Sequence, residues 1–108
     1  MLVGAGGAGQ MILKSVQEQP ASGMKIVCII DDNPNKWGRD VMGVPVVGGR
    51  GDILLKAKEY RVDKIFVAIP SAADTQRREI LNICKETGCE LKNLPGIEQI
   101  VSDSVSLK

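Results

Sequence analysis

The chain has 108 residues, of which 44% are hydrophobic and 25% charged, and this composition fits residues 1–108 as one globular domain with a single core. Its 14 Lys and Arg residues against 13 Asp and Glu residues leave a net charge of +1, and only 3% of residues are aromatic, which argues against nucleic acid as a partner. No apolar run is long enough to span a bilayer and no secretory leader is present, which predicts a cytoplasmic domain.

The chain opens on a glycine-rich loop. Gly4, Gly6 and Gly9 fit the pattern G-x-G-x-x-G, after a short apolar strand of three residues, Met1, Leu2 and Val3. In the dinucleotide-binding form of this motif, the first glycine allows a tight turn, the second leaves room for a pyrophosphate, and the third lets the helix pack closely on the strand. The N-terminus of that helix points backbone N–H groups at the phosphates. The alternative is a turn that only joins a strand to a helix.

A helix and a buried strand are predicted after the loop. Met11, Ile12 and Val16 share one side of a helix over residues 9–19. The run KIVCII at residues 25–30 is β-branched and apolar without alternation, which is typical of a strand covered on both faces. A parallel sheet with helices on both sides is therefore expected.

An acidic residue ends this strand. Asp31 stands about 20 residues beyond the glycine loop, the spacing of a carboxylate that binds ribose. Such a carboxylate favours a free 2′-hydroxyl and repels a 2′-phosphate, so NAD(H) is favoured over NADP(H). Lys36 and Arg39 are cations that soften this exclusion in principle, and Asp32 is expected to point away from Asp31. Glycines and acid in the right order favour a nucleotide site over a purely structural turn.

The middle of the chain is predicted to hold a loop, a strand and a helix. Residues 31–43 are a loop by composition, with Asp, Asn, Pro and Gly at its ends. Residues 44–47 (VPVV) form a short strand, which Pro45 places at an edge of the sheet. A helix runs over residues 52–60, with Asp52 near its N-terminus, where a carboxylate suits the exposed amides.

The last predicted elements are strand, helix and strand. Residues 64–69 (KIFVAI) form an apolar strand. Asp74 caps a helix through residue 87, and Gly88 ends it in the left-handed conformation. Residues 89–94 form a fifth strand.

This order predicts a three-layer α/β/α fold, a Rossmann-like doubly wound parallel sheet with strand order 3-2-1-4-5. The ligand crevice of such a sheet lies at the carboxyl ends of the strands, between the first and the fourth, where the order reverses. The glycine loop and the turn after the fourth strand meet there. The candidate cofactor-binding residues are Gly4, Gly6, Gly7, Ala8, Gly9, Asp31, Asp32, Pro70 and Ser71.

No catalytic or metal-binding set is predicted. The chain has no histidine, so a Ser–His or Cys–His pair is excluded and a zinc site would lack ligands. Cys28, Cys84 and Cys89 are expected to be small buried or half-buried residues. Tyr60 and Lys64 have the spacing of the catalytic pair of short-chain dehydrogenases, but Tyr60 closes a helix and Lys64 opens a strand, so we expect the two to diverge.

Four stretches carry a family resemblance: GAGGAGQM, CIIDDNPNKWGRDVMGVPVVGG, VDKIFVAIPSA and ILNICKETGCELKNLPGI. They resemble the nucleotide-binding domain before the catalytic domain of bacterial polysaccharide-biosynthesis nucleoside-diphosphate-sugar epimerases and dehydratases. The resemblance implies cofactor-loop roles for Gly4, Gly6, Gly7 and Gly9, and a ribose role for Asp31. It implies no catalytic residue, because those lie in the C-terminal domain of the parent protein. It also implies a parent anchored in the bacterial inner membrane, of which this chain is an excised or engineered fragment.

Two alternatives use the same crevice. The UDP-sugar-binding N-terminal domain of sugar-nucleotide N-acyltransferases shares the glycine loop and the Asp-Asp-Asn-Pro turn, although that group usually has a histidine in the loop where Ala8 stands here. A regulatory module that senses a dinucleotide or CoA would bind without turnover and self-associate. The expected partners are a nucleotide or dinucleotide, with a sugar nucleotide as the alternative, the parent's catalytic domain, and a second copy in a homo-oligomer.

Overall fold

The computed structural model describes residues 1–92. Within that range, the strands are β1 (Leu2–Val3), β2 (Ile29–Ile30), β3 (Asp40–Val41), β4 (Val44–Gly48), β5 (Lys64–Val67) and β6 (Glu90–Lys92). The helices are α1 (Gly7–Gln17), α2 (Ile53–Glu59) and α3 (Asp74–Glu86), with 3-10 turns at Pro20–Ser22, Pro34–Lys36 and Arg50–Asp52. None of the described helices is long and apolar enough to cross a membrane.

The strands form one sheet in the order β3-β4-β2-β1-β5-β6. All neighbouring pairs are parallel except β3 and β4, which are antiparallel. Without β3, the remaining order is β4-β2-β1-β5-β6. When these five strands are numbered in chain order, this is the predicted order 3-2-1-4-5. The predicted doubly wound α/β fold is therefore confirmed, with one antiparallel strand added at an edge.

The added strand β3 lies in the segment 31–43, which was expected to be a loop throughout. The chain turns back after β3 through Met42 and Gly43, whose φ angles are both positive, at 51° and 85°. A strand of two residues is too short to show the alternation of apolar and polar residues that identifies a strand. The composition of the segment therefore predicted only a loop. The prediction that β4 is the edge strand is wrong, because β3 takes that position and pairs Asp40 with Pro45.

The predicted helices are present with shifted ends, as is usual for helix boundaries. The prediction of Asp74 as the cap of α3 is wrong: Ala73 occupies the cap position, and the Asp74 carboxylate pairs with Arg77 Nη1 at 3.4 Å. Asp52 is the cap residue of α2 but makes no side-chain cap bond to that helix; its Oδ2 instead accepts the backbone N–H of Gly49 at 3.0 Å and closes the 3-10 turn that precedes α2.

The predicted strands are also present, with shorter regular pairing than expected. The run at 25–30 pairs as a strand only at Ile29–Ile30, and the run at 64–69 only at Lys64–Val67. Of the predicted strand 89–94, residues 90–92 are paired and residues 93 and 94 lie outside the described range.

Buried side chains cover both faces of the sheet. Leu2 and Ile29 pack in a cluster with α1, whereas their neighbours Val3 and Ile30 pack in a second cluster with α2 and α3. Successive strand residues point to opposite faces, so each apolar pair contributes to both layers. This confirms the predicted three-layer arrangement and fixes β1 at the centre, with the glycine loop at its carboxyl end.

Candidate functional site

A cavity of about 350 Å³ lies at the carboxyl ends of β1, β2 and β5, where the strand order reverses. This is the position predicted for the ligand crevice, and the volume is within the range of small-molecule sites. The predicted candidates that line the cavity are Gly4, Gly6, Gly7, Ala8, Asp31, Asp32, Pro70 and Ser71. Gly9 lies behind the loop and does not border the cavity.

The glycines of the loop meet different surroundings. Gly4 has φ +110°, and a Cβ there would collide with the carbonyl oxygen of Ala68. A Cβ on Gly9 would collide with the carbonyl oxygen of Gly4, so Gly9 allows α1 to pack against the turn. At Gly6 and Gly7 a Cβ would meet no atom within 4 Å, because both residues face the open cavity. Within one loop, Gly4 is thus needed for the turn, Gly9 for helix packing, and Gly6 and Gly7 for open space beside the cavity.

The N-terminus of α1 is open to the cavity. Gly6 is the cap residue, no side chain caps the helix, and the first turn holds no acidic residue. Gly7 and Ala8, which begin the helix, line the cavity. Uncapped N–H groups and the positive end of the helix dipole favour an anion such as a phosphate at this position.

Asp31 is fixed beside this loop. Its Oδ2 accepts the backbone N–H of Ala5 at 2.8 Å, and its Oδ1 accepts the backbone N–H of Asn33 at 2.9 Å. The Lys36 ammonium lies 3.7 Å from Oδ2, and the Asp31 side chain is 15% exposed. The carboxylate therefore has a defined position at the edge of the cavity, as a ribose-binding group requires.

Asp32 borders the same cavity but is held by another element. Its Oδ1 accepts the backbone N–H of Arg50 at 2.7 Å, and its Oδ2 lies 3.0 Å from Arg50 Nε. Arg50 Nη1 also pairs with Glu79 of α3 at 3.2 Å. The carboxylates of Asp31 and Asp32 diverge in their partners as expected, yet both line the cavity. The cation Arg50 was missed, although its position directly after β4 places it at the same end of the sheet.

The turn between β5 and α3 forms another wall. Ile69, Pro70, Ser71 and Ala72 line the cavity. Arg77 Nη2 donates to the carbonyl oxygens of Ile69 and Pro70, each at 3.2 Å, and to that of Ala72 at 3.4 Å. Sequence reasoning gave no role to Arg77, since nothing in the pattern relates it to the preceding turn.

The cysteines pack as predicted, with Cys28 and Cys84 buried and Cys89 half-buried. Burial raises the pKa of Cys28, and it raises the pKa of Cys84 from its ordinary value of 9.0 to about 11. A thiol in such surroundings is a packing group, because its reactive thiolate is disfavoured.

Tyr60 and Lys64 lie on different elements, as predicted: Tyr60 follows α2, and Lys64 begins β5. Both border a smaller cavity, of about 200 Å³, at the amino ends of the strands. They are therefore remote from the glycine loop.

This fold and loop place the chain in the class of Rossmann-like nucleotide-binding domains. Residues 1–95 match the model of the family described as CoA-binding domain, and the chain belongs to that family.

Two bacterial relatives extend this assignment. The capsular polysaccharide biosynthesis protein CapD of Staphylococcus aureus is 32% identical over 108 residues, which cover 99% of this chain and 18% of CapD. The probable polysaccharide biosynthesis protein EpsC of Bacillus subtilis (strain 168) is 26% identical over 101 residues, which cover 94% of this chain and 17% of EpsC. The resemblance to polysaccharide-biosynthesis proteins is confirmed, and the chain spans less than a fifth of either relative.

Solved structures confirm the Rossmann-like fold. UDP-D-quinovosamine 4-dehydrogenase from Vibrio fischeri has a TM-score of 0.74 at 20% identity, covering 95% of this chain and 82% of that one. RSP, a Rex-family repressor, in complex with NADH has a TM-score of 0.70 at 20% identity, covering 98% and 57%. Perosamine N-acetyltransferase from Caulobacter crescentus, solved with CoA and GDP-perosamine, has a TM-score of 0.62 at 28% identity, covering 82% and 38%.

Proposed function

We propose that this chain is the nucleotide-binding domain of a nucleoside-diphosphate-sugar epimerase or dehydratase in capsular or other surface polysaccharide biosynthesis. One observation carries the proposal: the Asp31 carboxylate is bonded to the Ala5 amide of the glycine loop, at the edge of an open cavity. Ribose-binding and phosphate-binding groups are thereby held together. The small share of CapD and EpsC that the chain covers supports a catalytic domain elsewhere in the parent.

The favoured ligand is NAD(H). Its diphosphate lies against Gly6 and Gly7 at the N-terminus of α1, where a Cβ would meet no atom and the helix dipole attracts negative charge. Its adenine ribose donates to Asp31, whose negative charge repels the 2′-phosphate of NADP(H). Lys36, 3.7 Å from that carboxylate, weakens the repulsion without removing it.

CoA or a sugar nucleotide is the second candidate ligand. The family description and the Caulobacter N-acetyltransferase complex, with both CoA and GDP-perosamine bound, favour it. CoA carries a phosphate on its ribose, and Lys36, in the 3-10 turn Pro34–Lys36, is a cation that lines the cavity beside Asp31. If CoA or a sugar nucleotide is the ligand, the same cavity binds or senses that ligand in place of NAD(H).

The domain binds its ligand without transforming it. The chain has no histidine, and the carboxylates of Asp31 and Asp32 are already bonded to amides and cations. In the proposed parent protein, catalysis and a membrane anchor belong to other parts of the chain, and this domain lies in the cytoplasm.

Thermal unfolding of the 108-residue chain tests this function. The ligands are NAD, NADH, NADP, CoA and uridine-diphosphate N-acetylglucosamine, each near millimolar concentration. A ligand at 100 times its dissociation constant adds about 2.7 kcal/mol and should raise the midpoint by roughly 10 °C or more. A shift with NAD(H) supports the dinucleotide site, and a shift with CoA or the sugar nucleotide alone selects the second candidate. No shift with any ligand contradicts nucleotide binding, and epimerase or dehydratase turnover by the chain alone contradicts a noncatalytic domain.

A further inference from the structure

The turn at residues 69–72 depends on a side chain that does not touch the cavity. Arg77 Nη2 lies within hydrogen-bond distance of three carbonyl oxygens of the turn, those of Ile69, Pro70 and Ala72, at 3.2–3.4 Å. Its Nη1 also lies 3.4 Å from the Asp74 carboxylate, one turn earlier on the same helix. One half-buried cation thus holds the backbone of the wall that presents Pro70 and Ser71.

Within its own helix, Arg77 makes only an exposed i,i+3 pair with Asp74, whose side chain is 92% exposed. It stands near the N-terminus of α3, where the helix dipole disfavours a cation. A residue that opposes a local preference is expected to have a compensating contact elsewhere. Here that contact is the set of carbonyl oxygens in the turn after β5, to which the guanidinium adds charge-assisted hydrogen bonds.

The location of this wall defines which part of a ligand it meets. β2 and β5 flank β1 on opposite sides, so Asp31 after β2 and the turn after β5 lie on opposite sides of the glycine loop. A ligand with its ribose on Asp31 and its diphosphate on the loop therefore extends past the loop toward Pro70 and Ser71.

We infer that Arg77 is a positioning residue that shapes the subsite for the half of the nucleotide beyond the diphosphate. The inference rests on the proposed nucleotide site, in which Asp31 and the glycine loop bind the ADP half and the turn after β5 meets the remainder, and it adds the residue that holds this turn in place. A side chain that only stabilises the fold would affect both halves alike.

Calorimetric titration of the chain with ADP, NADH and CoA tests this division. Arg77→Lys keeps the positive charge and the long stem but loses the planar set of donors. We expect the substitution to lower the affinity for NADH or CoA, whichever the unsubstituted chain binds, by about tenfold. The affinity for ADP should stay within about twofold. Arg78→Lys, an exposed neighbour on the same helix, is the matched control and should change neither.

Equal losses for ADP and the longer ligand, or no loss for either, would overturn the role of Arg77 while leaving the nucleotide site intact. A parent chain that binds none of the ligands would overturn both proposals. If the lysine variant is partly unfolded, Arg77→Gln at lower temperature tests the same split. Hydrogen exchange gives a second readout: the Ala72 amide, which donates to the Ile69 carbonyl at 3.1 Å, should exchange faster in the variant, and the Gly4 amide should not.

Discussion

Gly6 and Gly9 are separated by two residues, yet the structure requires them for different reasons. A Cβ on Gly9 would collide with the Gly4 carbonyl oxygen, whereas a Cβ on Gly6 would meet open space. We expect Gly9→Ala to lower the free energy of unfolding by about 1–3 kcal/mol, as in other overpacked positions. Gly6→Ala should leave it nearly unchanged. Urea denaturation of both variants measures the difference, and equal destabilisation would contradict the assigned roles.

The charge of Asp31 should decide between the two nicotinamide dinucleotides. Asp31→Asn keeps an acceptor for the Ala5 amide but removes the negative charge that favours a free 2′-hydroxyl. We expect NADH affinity to fall by about tenfold and NADPH affinity to fall less, because loss of repulsion offsets part of the lost bond. Asp40→Asn, an exposed carboxylate on β3, is the control. Equal losses of affinity for NADH and NADPH would show that Asp31 does not distinguish a free 2′-hydroxyl from a 2′-phosphate.

Burial of Cys84 makes stability depend on alkaline pH. Its pKa in the fold is raised to about 11 from an ordinary 9.0, so the folded chain holds this proton more tightly than the unfolded chain. The stabilisation is present below pH 9.0 and is lost as pH rises toward 11. At pH 10 the loss is on the order of 1 kcal/mol.

Urea unfolding at pH 8 and pH 10 measures this loss. Cys84→Ala lowers stability at both pH values by leaving a cavity, but the difference between the two values should shrink. Cys28, whose pKa burial also raises, accounts for a remaining fall. An undiminished difference in the variant would contradict the role of Cys84.

Single residues were predictable where a sequence motif specifies their type and spacing. The glycine spacing and an acid after the second strand predicted the cavity wall at Gly6 and Asp31. Arg50 and Arg77 were not, because each acts on another element: Arg50 bonds Asp32, 18 residues earlier, and Arg77 bonds the turn before α3. No sequence motif relates either arginine to its partner, so the fold was needed to identify these pairs.

The hairpin of β3 and β4 carries a correctable strain. Met42 has φ 51° and precedes Gly43 at φ 85°, the pattern of a tight hairpin turn that favours asparagine before glycine. Asparagine adopts the left-handed conformation at lower cost than methionine. We expect Met42→Asn to stabilise the chain by about 0.5 kcal/mol and to raise the midpoint by roughly 2–4 °C. Thermal unfolding measures it, with Met42→Leu as the control; an equal rise for leucine would contradict the turn as the cause.

Element types followed from periodicity, whereas strand lengths did not. The continuous run at residues 25–30 predicted a doubly covered strand, and Cys28, Ile29 and Ile30 are fully buried. Regular pairing is restricted to Ile29–Ile30, since neighbouring strands of two to five residues limit the ladder. Pro45 alone led to the prediction that β4 lies at the edge of the sheet. That edge is taken by β3, a strand of two residues that is too short to show an alternating pattern in the sequence.

The order of the sheet was predictable because alternating strands and helices with right-handed crossovers permit few arrangements. That order also placed the crevice, since its location depends on where the strand order reverses. The ligand was not predictable to the same degree. NADH, CoA and sugar nucleotides share ribose and phosphate groups, and the glycine loop meets only those shared groups.

Binding at the glycine loop can be followed through Trp37, the chain's single tryptophan, whose Nε1 donates to the Asp31 backbone carbonyl at 2.7 Å. The most direct measurement is a fluorescence titration of the unsubstituted chain and of Gly6→Val with NADH, CoA and ADP. Each chain is titrated at a temperature equally far below its own unfolding midpoint. Open space at Gly6 predicts that the parent responds saturably and that the folded variant does not, because the valine side chain fills the phosphate approach. Identical titration of both chains, or no response from either, would contradict a nucleotide site at this loop.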